Sequence, residues 1–260
     1  MKLNHIGTLA SAFAIMTAHG LAQAGPISFN EATCQAGSSA TLASATCVTS
    51  VAGARHAATL TAWSAPAAGQ FGAASIAYYP SFGLGILASG ESVNSLQHAV
   101  DNVGGTDAFL INFSSANFAL NRISIGWAYN DADVSILRYT GTGAPSLGNS
   151  KVANLGSTPG WDWVGDYSTL TTNGTLEFNT GSNAKTGAWW LVSAYNSAYS
   201  SVPVSGSFGD GNDYFKLNGF SGSVLAIAPP ANDVPEPGTF ALFGIALLGF
   251  AAARRKFQAR

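Results

Sequence analysis

The chain has 260 residues and a formal net charge of −2, from 11 basic and 13 acidic side chains. Five of the basic residues lie near the two ends, so residues 25–237 carry six basic groups against 13 acids, a net charge of −7. A nucleic-acid-binding protein needs clustered lysine and arginine to displace counterions from phosphates, and we therefore exclude nucleic acid as a partner. An acidic domain instead suits solubility, cation binding or contact with neutral glycans.

Residues 1–24 have the pattern of a secretory signal peptide. Lys2 gives a short positive start, residues 6–16 are uncharged and apolar or small, and Ala22-Gln23-Ala24 places small residues before a cut at Gly25. A buried N-terminal helix is the alternative. The pattern predicts export through the inner membrane, with signal peptidase as the first processing partner.

The chain contains two cysteines, Cys34 and Cys47. In an oxidising compartment a nearby pair most simply forms a disulfide. A zinc site would need two further ligands close by, and only His56 is near in sequence. We predict a Cys34–Cys47 disulfide within an irregular opening segment, residues 25–58.

After this segment come short runs that are rich in β-branched and aromatic residues and are separated by Gly, Asn, Asp and Pro. These predicted strands are residues 59–63, 74–79, 107–113, 119–129, 133–141, 174–180, 188–196, 213–220 and 222–228. Strands of this length with turn signals between them are typical of all-β domains. No sustained helical period occurs inside this region.

Two of the runs show how their side chains alternate. In the run 119–129, Ile123, Ile125 and Trp127 point to one face. The run "DVSILRY" (residues 133–139) instead has apolar residues on both faces. We predict a single all-β domain over residues 25–228, folded as one jelly-roll-like β-sandwich.

The C-terminal 32 residues differ from the domain before them. Prolines are concentrated in residues 228–238, so residues 229–237 are predicted to be an extended linker. Residues 239–253 carry no charge, and Arg254, Arg255 and Lys256 follow at once. We predict a short transmembrane helix with a basic tail over residues 238–260, which anchors the chain transiently in the inner membrane with its basic cluster in the cytoplasm.

These terminal features resemble the PEP-CTERM sorting signal. The resemblance rests on Val234-Pro235-Glu236-Pro237, the apolar span and the basic stop of Arg254, Arg255 and Lys256. It implies that exosortase, a membrane-embedded enzyme of Gram-negative bacteria, recognises Pro235, Glu236 and Pro237 and removes the tail. It further implies delivery to the cell surface or to an extracellular polysaccharide matrix. Blocks of the central region, such as residues 97–113 and 123–141, are similar to a subset of exosortase-dependent surface proteins.

Aspartates in the turns are candidate metal ligands. Asp131 and Asp133 lie in one turn, and Asp210 and Asp213 lie in another. Ca²⁺ takes six to eight oxygen ligands from flexible loops, but neither turn fits an EF-hand. The alternative is that these residues only shape tight turns. The sequence requires no cofactor, and a structural Ca²⁺ remains open.

Aromatic residues are candidates for stacking on sugar rings. Trp161 and Trp163 flank Asp162 in a segment preceded by Gly and Pro, where indoles would stack on a glycan and Asp162 would accept from hydroxyl groups. Core packing is the alternative for both tryptophans.

We predict no enzymatic activity. His98 and Asp101 are close in sequence and serines abound, but no Gly-x-Ser-x-Gly nucleophile elbow accompanies them. The sequence therefore predicts an exported surface or matrix protein with a structural or adhesive role in a biofilm-like exopolysaccharide layer. A carbohydrate-binding module, stabilised by Ca²⁺, is the first alternative, and a polysaccharide-modifying hydrolase is the second.

Overall fold

Antiparallel strands make up most of the part of the chain that the computed structural model describes, namely residues 25–35, 41–67, 69–94, 98–200, 206–209 and 211–225. The predicted signal peptide, linker and C-terminal helix lie outside these ranges. Within them the strands are β1 Ile27–Asn30, β2 Cys34–Gln35, β3 Thr41–Leu42, β4 Ser44–Val51, β5 Ala54–Pro66, β6 Gly72–Tyr79, β7 Gly83–Leu87, β8 Val100–Asp101, β9 Gly105–Phe113, β10 Phe118–Ala128, β11 Val134–Tyr139, β12 Trp161–Tyr167, β13 Thr175–Glu177, β14 Trp189–Ala194 and β15 Tyr214–Val224.

Short 3₁₀ helices interrupt the strands at Glu31–Thr33, Leu147–Asn149, Val152–Ser157 and Ser197–Tyr199. No helix in the described ranges is both long and apolar enough to cross a membrane. The prediction of an all-β domain is confirmed.

The strands form one continuous curled sheet rather than two separate ones. Its order is β12-β11-β14-β9-β5-β6-β7-β15-β10-β13, with the short strands β1, β2, β3, β4 and β8 pairing beside this path. The two halves of the sheet are joined where β5 pairs with β6. This pairing has only three residue pairs, from Ala62–Ala74 to Ser64–Gly72. Because β6 then continues alongside β7, it carries the sheet from one half to the other.

The larger hydrophobic core lies between the two halves of the curled sheet. Ile123 and Ile125 of β10 are fully buried there, as the alternation of that run predicts. They share this core with Trp190 of β14 and Phe109 of β9. Burying side chains of this size from both halves supplies the main driving force for closing the sheet.

A second, smaller core lies on the outer face of one half. In β11, Ile136 belongs to the larger core, whereas Leu137 belongs to the smaller one. Segments 147–157 and 197–199 pack over this outer face through Leu147, Val152, Leu155 and Tyr199. Both faces of β11 are therefore buried, which agrees with the two-sided apolar pattern of its sequence.

The predicted disulfide joins Cys34 of β2 to Cys47 of β4, which are direct partners in the antiparallel register. Both cysteines are buried. The bond closes a loop with a sequence separation of 13. The prediction that residues 25–58 are irregular is wrong, because β1 to β4 and the start of β5 lie within them. Because both sulfurs are oxidised, neither offers a thiolate to zinc.

Replacing both cysteines with serine should lower the free energy of unfolding by about 3 kcal/mol, because the unfolded chain regains the entropy of the open loop. For a domain of this size, we expect a melting temperature lower by about 10 °C. Reductant should lower the melting temperature of the wild type to that of the variant and leave the variant unchanged. Equal melting temperatures for the oxidised wild type and the variant would contradict a stabilising role.

Candidate metal centre and aromatic face

Three aspartates that are distant in sequence meet at one end of the sheet. Asp131 and Asp133 lie in the connection from β10 to β11, and Asp213 lies just before β15. An isolated parallel bridge joins Asp131 to Asp213, with the Tyr214 amide donating to the Asp131 carbonyl at 3.0 Å. One carboxylate oxygen from each of the three aspartates lies within 4.8 Å of the other two. We call this group the aspartate triad.

Backbone amides hold the triad in place. The Asp133 amide donates to Oδ1 of Asp213 at 2.7 Å. The Thr169 amide donates to Oδ1 of Asp133 at 2.9 Å, and the Ala132 amide donates to Oδ1 of Asp131 at 2.9 Å. These bonds orient the carboxylates but use only part of their acceptor capacity, since each carboxylate has about four lone-pair positions.

Asn102 completes the support of Asp213. Its Nδ2 donates to Oδ2 of Asp213 at 2.5 Å, and its Oδ1 accepts from the Asp213 amide at 3.0 Å. The same side chain donates to the Tyr195 carbonyl at 3.0 Å. No local sequence pattern indicates this role, because 111 positions separate Asn102 from Asp213.

The buried position of the triad disfavours ionisation. Asp133 and Asp213 are fully buried, and Asp131 is partly buried. Burial raises the pKa of Asp213 to about 8, with further contributions from the charges of Asp133 and Asp131. Burial likewise raises the pKa of Asp133. Without a cation, the Asp213 carboxyl therefore favours its protonated form at neutral pH.

No lysine or arginine within the described residues forms an ion pair with the triad; the ion pairs there join Arg122 to Glu177, and Arg138 and Lys185 to Asp162. The buried Lys216 contacts aromatic side chains and His98 rather than the triad. Its Nζ lies 4.0 Å from the ring centre of Trp127, 4.4 Å from that of Tyr79 and 2.9 Å from Nε2 of His98. Burial lowers the pKa of Lys216 to about 8. The triad is therefore left without a compensating side chain in this part of the chain.

The donor set of the triad fits a hard cation. Three carboxylates supply oxygen ligands, and water or backbone carbonyls would supply the rest of the six to eight that Ca²⁺ takes. The sequence placed Asp131, Asp133 and Asp213 among its candidate ligands, and the structure brings these three together. Asp210, the fourth candidate, lies outside the described residues.

The two candidate stacking residues occupy different environments. Trp161 belongs to the smaller core and is only 8% exposed, so little of its ring is open to a ligand. Trp163 is partly buried and packs against the same core. Asp162 accepts from Arg138 Nε at 2.8 Å and from Lys185 Nζ at 3.2 Å, which occupies both of its oxygens.

A row of aromatic side chains crosses three neighbouring strands next to these tryptophans. Trp161 is the register partner of Tyr139, and Tyr139 is the register partner of Trp189. Tyr139 and Trp189 are partly exposed and line a cavity of about 530 Å³ together with small residues such as Gly141 and Gly187. From its place in a predicted strand, Trp189 is expected in the core, and it packs against the smaller core while staying partly exposed. The row itself cannot be predicted, because the cross-strand register that aligns Tyr139 with Trp189 is not visible in a linear chain.

Comparison with known proteins identifies the C-terminal segment. Residues 233–256 match the model of the PEP-CTERM protein-sorting motif. This match confirms the resemblance found in the sequence, and it indicates an exosortase-sorted extracellular protein. No curated protein matches the chain, and no solved structure does.

The aspartate triad predicts a stability that depends on pH and on Ca²⁺. Asp213 has a pKa of about 8 in the folded state against 3.8 in the unfolded chain, so the folded state binds more protons between these values. In EGTA, the melting temperature should therefore fall as the pH rises from 5 to 8. Added Ca²⁺ should raise the melting temperature more at pH 8 than at pH 5, because it replaces the protons.

The matched variants are Asp131→Asn and Glu177→Gln. Asp131→Asn keeps the acceptor for the Ala132 amide but removes a charge from the triad, so it should reduce the rise produced by Ca²⁺. Glu177→Gln removes a charge from the exposed pair with Arg122, which is not part of the triad. It should leave the rise in melting temperature on addition of Ca²⁺ unchanged. Identical responses of both variants to Ca²⁺ would contradict binding at the triad.

Proposed function

We propose that this protein is a non-enzymatic component of the cell surface or extracellular matrix, with a structural or adhesive role in a polysaccharide-rich layer. The observation that carries the proposal is the sorting motif at residues 233–256. In this account signal peptidase removes residues 1–24, and the C-terminal segment holds the chain at the inner membrane until exosortase removes it. The all-β domain is then the working protein.

Features of the domain support a structural role. The disulfide and the two hydrophobic cores stabilise its fold. Charged residues make up only 9% of the chain, so hydroxyl and amide groups provide most of its polar surface. Such a surface suits contact with neutral polysaccharide, whose hydroxyl groups exchange hydrogen bonds with amides and hydroxyls.

Calcium binding at the aspartate triad is part of this proposal. The Asp213 carboxylate fastens the start of β15 to the β10–β11 connection through the Asp133 amide. A cation among the three carboxylates would remove their mutual repulsion. Binding that favours only the folded state increases stability as the free ligand concentration rises above its dissociation constant. The domain would thus be more stable outside the cell wherever Ca²⁺ is abundant.

Sorting predicts that Pro235→Ala, Glu236→Ala and Pro237→Ala, combined in one chain, will block removal of the tail. Mass spectrometry of protein from the culture surface should find the wild type without residues 240–260 and the variant, retained in the membrane fraction, with them. Pro229→Ala combined with Pro230→Ala changes prolines of the same linker outside the motif and should be processed normally. A wild-type surface form that still carries residues 240–260 would defeat the proposal.

Carbohydrate binding is the second candidate function, and the exposed aromatic row favours it. Tyr139 and Trp189 of this row are partly exposed, and Trp63 and Trp163, which are also partly exposed, pack against the same smaller core. Flat aromatic faces pack against sugar rings, and a cavity of about 530 Å³ beside Tyr139 and Trp189 is large enough for one or two sugar units.

If this face binds a glycan, Trp189→Ala and Tyr139→Ala should each weaken binding about tenfold, which corresponds to about 1.4 kcal/mol for the loss of one stacking surface. A glycan array identifies the ligand, and titration calorimetry measures the change. Phe82→Ala removes an aromatic side chain that is 50% exposed on the turn between β6 and β7 and should not alter binding. Binding that survives both substitutions on the row would exclude this face.

A further inference from the structure

A second group of acids faces a cavity that does not include the aspartate triad. The cavity has a volume of about 360 Å³, and its lining contains three acids, Glu91, Asp101 and Asp107. The rest of the lining consists of small or neutral residues from the ends of β5, β6 and β9 and from the loops beside them, and it contains no lysine, arginine or histidine. We call this space the acidic cavity.

Two carboxylate oxygens in the acidic cavity are buried without a hydrogen-bond partner. Asp101 and Asp107 are each only 3% exposed. Oδ1 of Asp101 accepts from the Val103 amide at 3.0 Å, whereas its Oδ2 has no partner. Oδ2 of Asp107 also has none. Buried polar atoms are nearly always paired, so two orphaned acceptors in the lining of one cavity point to a missing ligand.

These two aspartates differ from acids that merely shape a turn. A turn-forming aspartate directs its oxygens at nearby backbone amides, as Asp101 does with Oδ1 alone. Burial raises the pKa of Asp101 to about 7, and burial followed by the charge of Asp101 raises the pKa of Asp107 well above its usual range. Hydrogen bonds from the Ser64 side chain and the Asp101 backbone to Asp107 oppose this rise, but no basic side chain in the lining offsets the charge of either carboxylate.

Glu91 adds a third carboxylate to the same space. Its Oε2 accepts from the Ala88 amide at 2.8 Å, which fixes the group at the cavity wall. Its charge acts on both aspartates and raises the pKa of each. Three carboxylates without a cationic partner in the lining are therefore coupled electrostatically across the acidic cavity.

Hard oxygen donors select hard cations, because carboxylate, carbonyl and water ligands suit Ca²⁺ and Mg²⁺ rather than soft metals. The cavity volume leaves room for several waters, each of which takes about 30 Å³, to complete the coordination shell. A neutral sugar would satisfy the two oxygens by donating hydroxyl groups, but it would leave the negative charge uncompensated.

We propose that the acidic cavity is a second cation site, which binds Ca²⁺ through Oδ2 of Asp101 and Oδ2 of Asp107, with Glu91 contributing charge and water filling the remaining positions. This site is separate from the aspartate triad but adjoins it. Asn102 follows Asp101 in the chain and hydrogen-bonds to Asp213 of the triad. The inference does not depend on sorting by exosortase.

The stoichiometry of Ca²⁺ binding tests the proposal. The full-length protein, stripped with EGTA and purified in detergent, is dialysed against Ca²⁺, and bound metal is counted by plasma mass spectrometry. We expect two ions per chain for the wild type and one for Asp131→Asn, because the acidic cavity keeps its ion. Asp101→Asn and Asp107→Asn each replace one coordinating carboxylate with an amide and should also leave one ion.

The combination of Asp131→Asn with Asp101→Asn should bind no Ca²⁺. Glu177→Gln is the charge-matched control and should keep two ions. If circular dichroism shows that Asp101→Asn and Asp107→Asn do not fold, the number of Ca²⁺ ions bound by Asp131→Asn still tests the proposal. In that background, Glu91→Gln should weaken Ca²⁺ binding at the acidic cavity about tenfold. A count of zero for Asp131→Asn, or an unchanged count for folded Asp101→Asn and Asp107→Asn, would overturn the proposal.

Discussion

The acidic end of the domain depends on one short strand pairing. β8 contains only Val100 and Asp101, and it pairs with Phe215 and Tyr214 at the start of β15. Two residues would not hold a strand by themselves, but β15 is also paired with β1, β7 and β10, so it is fixed along most of its length. The pairing places Asp101 on the side of the acidic cavity and Asn102 against Asp213. Both groups of carboxylates are therefore located by the same junction.

This junction concentrates negative charge in a domain that contains few positive groups to balance it. The triad and the acidic cavity gather six carboxylates, and no ion pair among the described residues reaches them: Arg122 pairs with Glu177, Arg138 and Lys185 pair with Asp162, and Lys216 packs against aromatic rings. Buried carboxylates without partners must bind either protons or cations. A protein that works outside the cell meets millimolar Ca²⁺ in many environments, so the fold can rely on an external ion where a cytoplasmic protein would need a lysine.

The sequence predicted much of the sheet but only part of the candidate sites. The period-two pattern around Ile123 placed that strand in the core, and the two-sided apolar pattern around Leu137 reflects the two cores on either face of β11. Asp131 and Asp133 were recognisable because they share one turn. Their contact with Asp213 depends on a parallel bridge between distant segments, and the support from Asn102 depends on the position of β8. Trp161 is buried because segments 147–157 and 197–199 fold over its face of the sheet. No local sequence pattern predicts where these two segments pack.

The central claim is that cations neutralise the acidic end of this domain. A crystal structure of the full-length or mature protein grown with Ca²⁺, with data that record the anomalous signal of calcium, tests it most directly. We predict one anomalous peak among Asp131, Asp133 and Asp213 and a second between Oδ2 of Asp101 and Oδ2 of Asp107. A map without either peak, in which the same carboxylates keep their positions and contact only protein atoms, would contradict the account.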